Sequence, residues 1–311
     1  MKLVFFGSSI ESVNAIEILI KKNFDLKMIV TRSKKPKGRG LNISTTPVEE
    51  IAKKYNIDLF NSDNLEDLNF LNLLKNINPD VFIVISYGKL LSEKILTIPK
   101  SGTINIHPSL LPLYRGPSPV ASAILNGAKE TGVSVMLLDK GMDSGPILLQ
   151  SQPIKLNGEE KKSELSSKLF NIGSNLLTES LKPFLNGNII PKEQHHESAT
   201  YTSIIRSSDG EINWHDKAQK IFNLYRAYDD WPGIYTFWNG KRIKLIQVQI
   251  SSIKLSRVLP GEVKYLDSKL FIGTSTVPIK IDYLQIEGKK IMKSEEFFRG
   301  YSSIVDTNLS I

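Results

Sequence analysis

Asn105 and His107 stand two residues apart at the end of an apolar stretch, and Pro108-Ser109-Leu110-Leu111-Pro112 follows. Side chains two apart on a β-strand point to the same face, so this spacing predicts an amide and an imidazole aimed at one point. A side-chain amide can donate to a developing oxyanion, and an imidazole can move a proton near neutral pH. That pair suits acyl transfer. Ser109 is a nucleophile candidate by type, but no Gly-x-Ser-x-Gly elbow surrounds it. It reads as a strand-end cap or a ligand contact. The chain has no cysteine, which removes thiolate catalysis, disulfides and cysteine metal sites. Histidines occur only at 107, 195, 196 and 215, so a histidine-rich metal site is not expected. His195-His196 reads as a solvated stretch of linker, because a zinc site needs more ligands than this pair supplies.

The elements that must carry these residues alternate between strand and helix patterns. Residues 2–6 are apolar after Lys2 and end at Gly7; 11–22 space Val13, Ile16, Leu19 and Ile20 as on a helix face; 25–30 read as a second strand. Thr46 caps a helix with Pro47 in its first turn. Residues 62–76 read as a helix, and Val81–Ile85 is an unbroken apolar run of the kind buried on both faces of a parallel sheet. Strands at 102–107 and 132–138 follow, with a helix near 118–126 between them. The expected fold is α/β: a Rossmann-like open, mostly parallel sheet with flanking helices, followed by a small C-terminal β-barrel of oligonucleotide-binding type. In such sheets ligands bind beyond the carboxyl ends of the strands, where Gly7, Tyr87-Gly88, His107 and Asp143 fall. Gly7 is followed by Ser8-Ser9-Ile10 rather than by further glycines, which disfavours a dinucleotide site. The second half carries a helix near 215–230, an Asn239-Gly240 hairpin signal and several short strands. The expected organisation is a catalytic domain over 1–189, a linker over 190–208 and the barrel over 209–311.

Taken together, Tyr87-Gly88, Asn105-x-His107-x-Ser-Leu-Leu-Pro112, Arg115-Gly116, Thr131-Gly132 and Asp143-x-Gly145 resemble the folate-dependent formyltransferases. The resemblance implies that Asn105, His107 and Asp143 form a catalytic trio. It also implies that Ser109, Leu110, Leu111 and Pro112, with Tyr87 and Gly88, meet a 10-formyltetrahydrofolate cosubstrate without a metal. Asn105 would stabilise the oxyanion, and His107, assisted by Asp143, would move the proton from the attacking amine toward the folate nitrogen. One departure stands out. The family often carries Gly-Thr-Pro-x-Phe after the first strand, and here the stretch is Gly7-Ser8-Ser9-Ile10-Glu11.

The acceptor amine is read from a second resemblance. Residues 32–40, Arg-Ser-Lys-Lys-Pro-Lys-Gly-Arg-Gly, hold five positive charges and no negative one. This loop resembles the basic loop of the methionyl-tRNA branch of the family, which implies that Lys34, Lys35, Lys37 and Arg39 contact an acceptor arm, with initiator methionyl-tRNA as partner. A solvated basic loop is the plainer reading of the same residues. The net charge of +8 suits an anionic partner or a generally basic surface. Two rivals stay open: a sugar-nucleotide N-formyltransferase, which would not need the basic loop, and a tRNA-binding protein without turnover. No apolar run nears the roughly 18 residues of a membrane span, and the start reads as a strand rather than a signal peptide. The expectation is therefore a cytoplasmic monomer.

Overall fold

The computed structural model describes residues 1–33, 45–61, 64–252 and 258–309. Its elements run β1 (Lys2–Gly7), α1 (Ile10–Lys21), β2 (Asp25–Thr31), α2 (Pro47–Lys54), β3 (Asp58–Asn61), α3 (Leu68–Ile77), β4 (Val81–Ile85), α4 (Glu93–Leu96), β5 (Thr103–His107) and α5 (Pro119–Leu125). They continue with β6 (Glu130–Thr131), β7 (Ser134–Leu137), β8 (Ile147–Gln150), β9 (Ile154–Lys155), α6 (Lys162–Leu185), α7 (Ala218–Ala227), β10 (Ile234–Trp238), β11 (Lys241–Ile250), β12 (Val263–Leu266), β13 (Lys269–Ile272), β14 (Ile279–Ile286), β15 (Met292–Lys293) and α8 (Ser294–Tyr301). The contacts divide the chain into two compact units. The first comprises Met1–Pro119, Glu130–Lys155 and Ser166–Thr202; the second comprises Val120–Lys129, Leu156–Leu165 and Ser203–Ile311.

The first unit is built on a seven-stranded sheet in the order β3-β2-β1-β4-β5-β7-β8. Strands β1 to β5 pair in parallel, and β7 and β8 add antiparallel. Apolar residues on both faces of β1 explain why the sheet is covered on each side. Val4 and Phe6 join a cluster with Phe70, Leu74, Phe82 and Tyr87, while Leu3 and Phe5 are fully buried on the opposite face. Every residue of β4 is buried, as its unbroken apolar run requires. Thr46 caps α2 by accepting from the Glu49 N–H at 3.1 Å. Helix α3 starts later than its sequence pattern predicts. Asp67 takes the capping position and accepts from the Phe70 N–H at 3.0 Å, and Asn64 turns the chain just before it.

The second unit carries a six-stranded antiparallel sheet in the order β10-β11-β14-β13-β12, with β15 on β14. Its core gathers Ile243, Leu245, Ile281, Leu284 and Ile286 from the sheet with Trp214, Ile221 and Phe297. The Asn239-Gly240 turn has both residues at positive φ (48° and 70°), the conformation that matches strand twist in a two-residue hairpin. Among the described residues no helix is long and apolar enough to cross a membrane.

Candidate active site

Strand β5 delivers the expected pair at the carboxyl end of the parallel sheet. Asn105 lies between Val84 of β4 and Met136 of β7, and His107 lies opposite Ser134. Asn105 is half-buried, and among the described residues its amide has no protein hydrogen-bond partner. His107 is buried at 3% exposure, and the atoms around it fix its protonation pattern. Nε2 lies 2.9 Å from the Tyr114 carbonyl, which can only accept, so Nε2 carries a hydrogen. In the neutral ring Nδ1 is then the basic nitrogen. It stands 3.5 Å from Asp143 Oδ2, too far for a good hydrogen bond and close enough for strong charge interaction.

Burial pushes the His107 pKa below its ordinary 6.5; the Asp143 charge and the Tyr114 carbonyl oppose that shift, and the Arg115 charge adds to it. The resting imidazole is therefore neutral at pH 7, with a carboxylate already in place for the cation it forms on taking a proton. Asp143 sits between β7 and β8 with φ of +49°, a conformation that Asp tolerates better than most residues. Its Oδ2 accepts from the Gly116 N–H at 2.8 Å. Gly145, two residues on, packs so tightly that a Cβ would fall 2.1 Å from the Leu137 carbonyl oxygen.

The 108–112 segment is a rigid loop. Ser109 is fully buried, and its hydroxyl donates to the Leu113 carbonyl at 2.6 Å. The Ser134 hydroxyl donates to the Ser109 carbonyl and accepts from the Leu111 N–H, and Gln150 donates to both Ser134 Oγ and the Leu111 carbonyl. The Leu111-Pro112 peptide is cis. Leu110 lies over Gly132, where a Cβ would come within 2.5 Å of it. Ser109, Leu111 and Tyr87 are among the residues that the resemblance sets against the folate. All three are buried, and Tyr87 stands edge-on to Phe6 at 5.6 Å inside the core. Gly88 is exposed and Leu110 and Pro112 are half-buried, so these keep accessible surface at the strand ends.

Lys34, Lys35, Lys37 and Arg39 lie outside the described residues. Sequence reasoning missed Ser134 and Gln150, which brace the loop, because isolated polar residues on a short strand carry no signal of what they hold. It also took residues 190–208 for a linker with His195-His196 in solvent. His195 and His196 are both exposed, but the stretch is anchored: Gln194 is buried, Thr200 Oγ1 accepts from the Tyr114 N–H at 2.7 Å, and His196 Nδ1 accepts from Arg115 Nη2 at 3.0 Å. A cavity of about 540 Å³ lies in the second unit, lined by Lys129, Gln219, Asn223 and Arg226 among others. It contains none of the residues above, and the site is marked by its polar convergence rather than by volume.

Comparison with known proteins gives the same picture. Residues 1–181 match the formyl transferase family and residues 204–302 the formyl transferase C-terminal domain. A methionyl-tRNA formyltransferase of Thermodesulfovibrio yellowstonii is 39% identical over 298 residues, covering 96% of this chain and 95% of that protein. One from Caldanaerobacter subterraneus subsp. tengcongensis is 37% identical, with 97% of each chain covered. Among solved structures, WlaRD, a sugar 3N-formyl transferase crystallised with dTDP and 5-N-formyl-THF, superposes with a TM-score of 0.67 at 18% identity, over 93% of this chain and 99% of its own. HypX from Aquifex aeolicus, in complex with tetrahydrofolic acid, gives 0.66 at 17% identity, over 98% of this chain and 47% of its own. At these identities the two structures attest to the fold.

Proposed function

The chain belongs to the formyltransferase family, and from that premise we propose that it transfers the formyl group of 10-formyltetrahydrofolate to the α-amino group of initiator methionyl-tRNA. Full-length relatives bearing that activity in their names favour this acceptor over an amino sugar. The observation that carries the chemistry is the convergence of Asn105, His107 and Asp143 at the end of β5, with Nδ1 of a neutral, buried imidazole turned toward a carboxylate.

The chain's residues divide the work as follows. The unpartnered Asn105 amide donates to the formyl oxygen as the amine adds and negative charge grows there. His107 accepts the proton that the amine must lose, at Nδ1, and the imidazolium is stabilised by Asp143. As the carbon–N10 bond breaks, the same proton passes to N10, so the enzyme returns to its resting state and tetrahydrofolate leaves. Gly88, Leu110 and Pro112 offer the accessible edge along which a folate lies, and Lys34, Lys35, Lys37 and Arg39 offer charges for tRNA phosphates. The fit to a folate substrate rests on Asn105, a half-buried donor that no group among the described residues satisfies. From the translation-initiation role we infer a cytoplasmic location.

The test is a transfer assay with 10-formyltetrahydrofolate in which methionyl-tRNA and 3-amino and 4-amino dTDP-sugars compete. Formyl-methionyl-tRNA as the main product is expected. Preferential formylation of a sugar amine would replace this reading with the sugar-nucleotide one.

A further inference from the structure

We propose that Gln194 and Arg115 are positioning residues, a buried amide–guanidinium clamp that holds the Asp143 loop so that its carboxylate stands beside His107. The inference deepens the formyl-transfer reading and rests on it for the reaction, though not for the geometry. Arg115 is 2% exposed and Gln194 is 5% exposed. Arg115 Nε and Nη2 both donate to Gln194 Oε1, at 3.0 and 2.7 Å. A guanidinium has donors only, so the amide oxygen must face it and the amide nitrogen must face away. That nitrogen donates to two main-chain carbonyls, Asp143 O at 2.9 Å and Gly145 O at 2.7 Å. Gln194 therefore braces the loop on both sides of Ser144.

Two further facts point to a role beyond packing. Asp143 holds a left-handed backbone conformation, and such a conformation persists where its surroundings over-determine it. The bonds to Asp143 O and Gly145 O supply that restraint. Arg115, in turn, is a buried cation whose partners are all neutral among the described residues. Beyond Gln194 they are His196 Nδ1 at 3.0 Å and the Tyr201 hydroxyl at 3.4 Å. A buried charge without a counter-charge is costly to a fold that only needs volume filled. Here it polarises the Gln194 amide and locks its orientation. The main chain completes the clamp: the residue after Arg115 is Gly116, whose N–H holds Asp143 Oδ2. The Arg115 main chain is itself fixed, its N–H donating to Thr200 O and its carbonyl accepting from Thr202 N–H, both at 2.8 Å.

The test uses the full chain with Gln194→Met, which removes the amide while keeping length, and Gln194→Glu, whose carboxylate still partners Arg115 but gives the two carbonyls no donor. Both are expected to lower kcat by at least tenfold, within the roughly 10² that a misplaced catalytic group costs. KM for folate and for methionyl-tRNA should stay within about threefold. The imidazole titration of His107, followed by NMR in Gln194→Met, should move to lower pH. The charged groups facing that ring are Asp143 and Arg115, and the one that raises its pKa is no longer held. A purely structural Gln194 would lower stability while leaving kcat per folded molecule and the titration in place, and that result overturns the proposal. If Gln194→Met does not fold, a wild-type kcat in Gln194→Glu overturns it equally. The titration needs no substrate. A wild-type protein inactive on methionyl-tRNA would thus sink the reaction assignment while the clamp was still being tested.

Discussion

Asp143→Asn isolates the charge beside His107 with little else disturbed. Asn adopts the left-handed conformation at position 143 as readily as Asp, and its amide oxygen still accepts from the Gly116 N–H. What is lost is one negative charge 3.5 Å from Nδ1. Coulomb attraction across that distance is about 5 kcal/mol at an effective dielectric constant of about 20. The Asp143 side chain keeps 18% exposure, which screens part of it. Only part of the imidazolium charge has developed in the transition state. Roughly half of the attraction, about 2–3 kcal/mol, is thus at stake, or on the order of 10²-fold in rate at 1.36 kcal/mol per tenfold. The assay is single-turnover formylation of methionyl-tRNA with saturating 10-formyltetrahydrofolate, beside a filter-binding measurement of tRNA affinity. The rate should fall about 10²-fold while tRNA affinity is preserved. The acid limb of the pH–rate profile should also shift to lower pH, because the group that raises the His107 pKa is gone. A rate within threefold of wild type would refute the assignment of Asp143 as stabiliser of the imidazolium.

Asn105→Ala should lower kcat by about 10²–10³ with little change in KM, since it removes an oxyanion donor and leaves the loops intact; steady-state kinetics on both substrates checks this. Gly145→Ala should fold and yet lose most activity. The added Cβ meets backbone at Leu137 rather than a side chain that can turn away, so the 143–145 loop must move; circular dichroism beside the transfer assay separates the two effects. Urea midpoints measured from pH 5 to pH 7.5 should rise with pH below about 6.5, and His107→Asn should flatten that slope. The sign follows from a folded pKa depressed below 6.5: between the two values the unfolded chain binds more protons, so stability grows with pH and is lost on acidification. Asp80, Glu160 and Glu262 are also depressed, from ordinary values of 3.8, 4.5 and 4.5, and act in a more acidic window.

Much of this was legible along the chain. The helix at Pro47 announces itself through Thr46, and the hairpin at Asn239-Gly240 through residues that accept positive φ, because caps and tight turns are settled by neighbours in sequence. The buried strand at 81–85 is legible for a related reason, since a run with no polar residue has no face to offer water. Asn105 and His107 share a face by strand periodicity alone. The α3 boundary was misplaced because several polar residues competed to cap it, and Asp67 prevailed. Most of the polar stretch after Pro191 is exposed, as it reads, but the burial of Gln194 was not legible there, since composition cannot tell a polar residue in water from one satisfied by a buried partner.

The sequence by itself determined the alternation of strands and helices, the pair on β5, and the loop of glycine and basic residues whose resemblance named an acceptor. Those features depend on local propensity, on period, and on motif order. Tertiary structure alone decided that Tyr87, Ser109 and Leu111 are buried, that Nδ1 is the basic nitrogen of the neutral His107 ring, and that Gln194 reaches back across about fifty residues to the Asp143 loop. Each of those outcomes depends on which donor meets which acceptor once the chain is closed on itself. Such pairings join residues distant in sequence through contacts of about 3 Å, and no local pattern encodes them.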